Sequence, residues 1–128
     1  MKRLNYTQKT LRYLREQGLI VDKAERFNPY AGKFGIRQDL FGFIDLIALD
    51  PQEGIIGIQS TSGNQHSKHR KAIIENENVE EWLKCGGKIW LISWSKKKIK
   101  RDGKALRWFP RVEKITLEMV AKERELAK

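Results

Sequence analysis

Hydrophobic residues recur along the chain in helical and in strand-like rhythms. Leu11, Tyr13 and Leu14 fit one face of a helix over residues 7–17, with Thr7 as its cap and Gly18 as its stop. Ile20, Val21 and Phe27 give residues 19–27 extended character at or near a sheet edge. The turn cluster Asn28-Pro29-Tyr30-Ala31-Gly32 ends that stretch, and residues 35–42 read as loop. Phe43-Ile44-Asp45-Leu46-Ile47-Ala48-Leu49 is the pattern of a buried strand. Asp50-Pro51-Gln52-Glu53-Gly54 turns the chain into an antiparallel partner at residues 55–61. Ser62-Gly63-Asn64 then caps a helical stretch whose inward stripe is Ala72, Ile73, Ile74, Val79, Trp82 and Leu83, broken near residues 76–78 and ended by Cys85-Gly86-Gly87. Residues 88–94 form a second buried strand of the kind that follows a crossover helix, which places Trp90 and Trp94, with Trp82, in the core. Arg101-Asp102-Gly103-Lys104 predicts a hairpin turn between short strands ending near Phe109, and a helix capped by Thr116 closes the chain. The expectation is one α/β domain over residues 1–128. Its core, at about 7–95, has an αβββαβ order and a mixed central sheet, and a basic hairpin and helix follow at 96–128.

Charge adds a partner class to that scaffold. The 128 residues hold 26 Lys and Arg against 16 Asp and Glu, a formal charge of +10. Nine cations (Lys96, Lys97, Lys98, Lys100, Arg101, Lys104, Arg107, Arg111 and Lys114) face only Asp102 and Glu113 in the stretch 96–114. Such a surplus attracts polyanions, of which nucleic acid is the commonest inside cells. Trp108 and Phe109, interleaved with Arg107 and Arg111, suit base stacking and backbone contacts. No apolar run approaches the ~20 residues that span a bilayer. The start Met1-Lys2-Arg3-Leu4-Asn5-Tyr6 has no apolar signal core, and the single Cys85 cannot close an internal disulfide, so a cytoplasmic protein with no membrane partner is expected.

The candidate chemistry sits inside the most apolar hairpin. Asp45 is flanked by Phe43, Ile44, Leu46 and Ile47, where an ionised carboxylate is costly unless compensated. With residues 50–54 as the loop, Leu49 pairs with Ile55 and Asp45 falls opposite Gln59, while a loop one residue different would put the two on opposite faces. A carboxylate and an amide oxygen then meet, both suited to Mg²⁺. Thr61 shares the face of Gln59. Two histidines three apart, His66 and His69, lack the further ligands of a zinc site.

These residues resemble the PD-(D/E)XK nuclease superfamily. Ile44-Asp45 matches its hydrophobic-Asp element, and Gln59-Ser60-Thr61 occupies the place of its acidic-x-Lys element after a short hairpin. The layout is most similar to the VRR-NUC and archaeal Holliday-junction resolvase-like branches, over roughly residues 7–94. Gln replaces the second carboxylate and Thr the lysine. The resemblance implies a restriction endonuclease-like fold and a Mg²⁺- or Mn²⁺-dependent DNA endonuclease, with branched or structured DNA among the substrates and a homodimer as the assembly it suggests. Asp45, Gln59 and Asp39 would hold the metal, with Glu16 as another source of the missing carboxylate, and Thr61 would position water or phosphate. The DNA contacts implied are Arg37, Lys68, His69, Arg70 and Lys71 together with Lys96, Lys97, Lys98, Lys100, Arg101, Lys104, Arg107 and Arg111. The competing expectation is a nuclease-like fold that binds nucleic acid without cleaving it.

Overall fold

The structure, a computed structural model, describes residues 5–127; residues 1–4, read above for a signal core, and residue 128 lie outside them. Helix α1 (Tyr6–Glu16) opens on Asn5, not Thr7. Asn5 Oδ1 accepts the Gln8 N–H at 2.7 Å and Gln8 Oε1 accepts the Asn5 N–H at 3.2 Å. This reciprocal capping box satisfies backbone donors that a cap at Thr7 would leave open. Strand β1 (Ile20–Lys23) follows.

The chain then leaves the sheet. β2 (Arg26–Asn28) and β3 (Ile36–Gln38) pair only with each other. Residues 19–27 are therefore not one strand and residues 35–42 are not all loop. The Ala24 N–H donates to the Asp45 carbonyl at 2.9 Å before the backbone turns out into this two-stranded ribbon. β4 (Leu46–Asp50) and β5 (Gly54–Ser62) form the expected hairpin with Leu49 opposite Ile55 and Leu46 opposite Ile58.

A 3₁₀ turn (Gly63–Gln65), α2 (His66–Glu75) and α3 (Val79–Lys84) cross over to β6 (Lys88–Lys98), which runs parallel to β5. β7 (Leu106–Ile115) returns antiparallel to β6, and α4 (Leu117–Leu126), capped by Thr116 Oγ1, ends the fold. The basic hairpin is thus the outer end of two long strands that begin in the core, not a separate pair of short strands ending near Phe109. Among the described residues the result is a mixed α/β architecture with four helices and a five-stranded mixed sheet in the order β1-β4-β5-β6-β7. No helix among the described residues is long and apolar enough to cross a membrane.

Strand periodicity divides the core. Leu46, Ala48, Ile56, Ile58, Trp90, Ile92 and Trp94 face α1, with Leu14 and Val21. Ile89, Leu91 and Ile115 face α2, α3 and α4, with Ile73, Ile74, Val79 and Val120. Continuing each strand by twos puts Gln59, Thr61 and Ser93 on the α2 side.

The first turn of α2 has no side-chain cap from Ser62 or Asn64. It is fixed instead by close approach and by hydrogen bonds. A Cβ at Gly63 would collide with Ser95, so the 3₁₀ turn lies directly on β6. His66 is 2% exposed, with Nδ1 2.7 Å from Ser93 Oγ and Nε2 2.8 Å from Glu113 Oε1. Arg70 donates from Nε to Glu113 Oε2 at 2.7 Å and from Nη1 to Glu123 Oε2 at 2.7 Å. Burial raises the Glu113 carboxyl, but the Arg70 and His66 hydrogen bonds outweigh it and hold Glu113 below the usual glutamate range. A carboxylate depressed in this way stabilises the fold above its unfolded pKa and loses that contribution as pH falls through the folded value. Arg70→Ala is expected to destabilise the protein by about 2 kcal/mol at pH 7 by leaving Glu113 without its guanidinium. In urea melts, that difference should shrink as pH falls below the ordinary glutamate range.

Candidate metal centre

The centre forms where the ribbon rejoins the sheet. Glu25 immediately precedes β2, Asp39 immediately follows β3, and Asp45 immediately precedes β4. Two backbone contacts draw these points together. The Ala24 N–H reaches the Asp45 carbonyl, and Leu40 bridges Ile44 across a tight turn in which Phe41 adopts φ +56° and Gly42 φ +83°. One carboxylate oxygen each from Glu25, Asp39 and Asp45 consequently lies within 4.8 Å of the other two.

Asp45 is the buried member, at 7% exposure. Its N–H donates at 2.8 Å to the carbonyl of Ile58, the residue that already faces Leu46, so the ladder slips by one residue at Asp45, and its Oδ2 accepts the Ser60 N–H at 2.8 Å. Burial pushes the Asp45 carboxyl up to about 8, a shared hydrogen bond with the Asp39 side chain adds to this, and the Ser60 N–H offsets only part of it. Metal-free Asp45 thus holds a proton at neutral pH in the space between carboxylates.

Gln59 completes the wall. It is 7% exposed, its Nε2 lies 3.4 Å from Asp39 Oδ2, and its Oε1 is buried with no hydrogen-bond partner. An unsatisfied buried acceptor costs about 1–3 kcal/mol. Three carboxylates and an amide oxygen are the hard donors that Mg²⁺ and Mn²⁺ prefer, and the orphaned Oε1 fits a site whose last partner is a cation or its water.

The other expected residues divide into three groups. Thr61 is buried two residues beyond Gln59 on the same face, level with Ser93 of β6. Glu16 lies away from the cluster, paired with Arg12 at 3.2 Å on the exposed side of α1. Glu25 holds the position for which Glu16 was considered. Its only trace in the sequence is an acidic residue interrupting a poorly alternating stretch.

Of the expected phosphate contacts on α2, Arg70 is corrected. It is engaged by Glu113 and Glu123, and its guanidinium braces the helix against β7 and α4. Lys68 is exposed, and Lys71 reaches only Glu75, at 4.0 Å on the surface. His69 is half-buried, and burial followed by the charge of Lys68 depresses its pKa against the opposing pull of Asp39. Arg37 is largely exposed on the ribbon, 3.4 Å from Glu25.

In the hairpin, Lys97, Arg107 and Arg111 continue the α2-side face of the sheet by strand periodicity. Lys98, Lys100, Arg101 and Lys104 are exposed around its tip, while Lys96 lies over the Trp108 ring at 5.3 Å. That ring packs edge-on against Tyr6 and also carries Lys9, so Trp108 belongs to the α1 face and not to an open stacking surface.

A carboxyl whose pKa is raised on folding favours the native state below its unfolded pKa of 3.8, and that advantage is lost as pH rises toward 8. Metal-free protein should therefore lose stability across this interval, and Asp45→Asn should be the more stable form at pH 8 by on the order of 3 kcal/mol. Mn²⁺ at a hundredfold excess over its Kd should raise wild-type stability by about 3 kcal/mol and leave Asp45→Asn nearly unmoved. Melting curves with and without metal at pH 5 and pH 8 read all three effects. Comparison of the chain with protein-family models, curated proteins and solved structures finds no match.

Proposed function

We propose that this protein is a Mg²⁺- or Mn²⁺-dependent DNA endonuclease, a variant of the PD-(D/E)XK type on a restriction endonuclease-like scaffold. The observation that carries the reading is the convergence of Asp45, Asp39 and Glu25, from three separate chain segments, beside a strip of exposed cations. Structural acids at a protein surface pair with cations or disperse, because like charges repel. Here three carboxylates are gathered, and the most buried of them is kept protonated first by its burial and then by its hydrogen bond with Asp39.

Asp45, Asp39 and Glu25 would hold the divalent ion, with Gln59 Oε1 as the uncharged donor. When bound, the ion lowers the pKa of a water and neutralises charge developing on a phosphodiester. The chain's own residues supply the rest. Burial of Asp45 fixes one carboxylate direction through the Ser60 N–H, and Gln59 orients Asp39. Thr61 offers a hydroxyl beyond Gln59 for positioning a water or phosphate oxygen. Thr61 cannot provide the charge of the lysine it replaces. Arg37, placed beside Glu25 by β3, is the cation next to the carboxylates and suits a phosphate oxygen. Lys68, Lys71 and the α2-side cations Lys97, Arg107 and Arg111 would track the backbone on either side of it. Such binding is steeply salt-dependent and indifferent to sequence. The place proposed for this activity is the cytoplasm. With one such centre among the described residues, cutting both strands calls for a second copy.

The test is purified protein on supercoiled plasmid with Mg²⁺, Mn²⁺ or EDTA. Metal-dependent conversion to open circles or linear DNA is expected. Asp45→Ala and Asp39→Ala should each lower the rate by at least about 10³-fold, and Glu25→Gln by about 10–100-fold. The appearance of linear product without accumulated open circles would indicate a paired assembly. Tight binding with no cleavage under any metal, equal in wild type and Asp45→Ala, would instead support a nuclease-like scaffold that only binds. Gln59 and Thr61 would then be the marks of its lost chemistry.

A further inference from the structure

The β2–β3 ribbon carries features that the carboxylates do not need. Its tip, residues 29–35, holds two aromatic rings almost wholly in solvent, Tyr30 at 94% and Phe34 at 86% exposure. The tip is nonetheless built. Asn28 Oδ1 accepts the Tyr30 N–H at 3.0 Å, and the Asn28 carbonyl accepts the Ala31 N–H at 3.4 Å. Gly35, at φ +84°, lies beneath the Phe27 ring, which leaves no room for a Cβ there. Phe27 is therefore the ring that packs the ribbon, and Tyr30 and Phe34 are the rings it presents.

The ribbon is also cationic. Arg26, Lys33 and Arg37 lie on it and Lys23 at its base, and Arg26 and Arg37 line a cleft of about 650 Å³ together with Asp39 and Phe41. Asp39, one of the three clustered carboxylates, lies in the wall of that cleft. Tyr30 is five residues from Glu25, and Phe34 is five residues from Asp39. A ligand held at the tip is consequently tied through the two ribbon strands to two of the three acids.

Resting on the nuclease reading above, we propose that the ribbon is a finger for unpaired bases. Tyr30 and Phe34 stack on bases of a single-stranded DNA segment, while Arg26 and Arg37 hold the adjoining phosphates and lead the backbone to the carboxylates. An exposed aromatic face has no use for continuous duplex, in which each base face is already covered by its neighbour. A single strand, a flap or a fork offers such faces freely, and stacking on them tolerates any sequence. The flanking cations complement a phosphate chain, which sets this tip apart from an apolar patch made for a protein partner.

The experiment measures binding without cleavage, in EDTA, by fluorescence anisotropy of a labelled single-stranded oligonucleotide and of its duplex. Because both rings are exposed, the variant Tyr30→Ala/Phe34→Ala should melt like wild type. Its affinity for the single strand should fall at least about tenfold, with duplex binding changed less than about twofold and the salt slope unaltered. Tyr30→Phe should retain binding, and Arg26→Ala/Arg37→Ala should lower the salt slope by about two. Equal losses on both DNAs, no loss on either, or self-association of the wild type abolished in the double aromatic variant would overturn the finger. Failure of wild type to cleave with metal would overturn the nuclease reading alone, since the stacking result is read in the absence of metal.

Discussion

The arrangement turns on one costly group, the carboxyl of Asp45 at the inner end of β4. Its backbone N–H is committed to Ile58 and its Oδ2 to the Ser60 N–H, so the side chain cannot swing out to solvent without breaking the start of the β4–β5 hairpin. Leu46, packed against α1, and Ile44, packed on the α2 side, are both fully buried and hold the carboxyl between them. It must there either keep a proton or meet a cation. Asp39 and Glu25 strengthen both tendencies, since added negative charge raises the affinity for a proton and for a divalent ion alike. A purely structural role would favour a neutral side chain at this place. A carboxyl maintained at the point where two further acids arrive is what a site with a removable cation requires.

The rest of the fold keeps that point rigid while leaving its approach open. Crossing from β5 to a parallel β6 obliges the chain to pass over the end of the sheet, and the passage is pinned by Gly63 on Ser95 and by the chain from Ser93 through His66, Glu113 and Arg70 to Glu123. These contacts join β6, α2, β7 and α4 through side chains at the same end of the sheet as the carboxylates. The network ties the guanidinium of Arg70 to two carboxylates, while Lys68 and Lys71 stay exposed on the same helix. Among the cations named here only Arg37 touches the acids, at Glu25, and the lysines of α2 lie on the surface.

How much of this was legible follows from the range of each interaction. The β4–β5 register was readable because a short loop and alternating apolar side chains fix it locally, but the pairing stops at Leu46 opposite Ile58, and Asp45, just outside β4, bonds the Ile58 carbonyl and not a paired Gln59. The break at residues 76–78 and the Thr116 cap were readable for the same reason. The ribbon was not, because β2 and β3 are three residues each and their pairing spans a turn whose residues carry no alternation. Missing the ribbon meant missing Glu25, whose partners Asp39 and Asp45 lie 14 and 20 positions away. Arg70 was misread because charge counts show a cation but not the two carboxylates, more than forty residues distant, that claim it. Asp39 was within reach because it stands just before the Leu40–Ile44 turn.

The position taken by Thr61 gives the last constraint. A lysine there would extend from a buried point on β5, level with Ser93 and thus near the imidazole that Ser93 and Glu113 hold. An added ammonium would compete with Arg70 and His66 for Glu113, the carboxylate on which the placement of α2 depends. Threonine avoids that competition, and a cation must then come from elsewhere. Arg37 arrives from the opposite side, on a ribbon whose root is built from two of the acids. If the chain acts on phosphodiesters, the cation that meets the phosphate and the surface that meets the neighbouring bases belong to one β-ribbon, so that positioning and recognition are coupled through the backbone between residues 25 and 39.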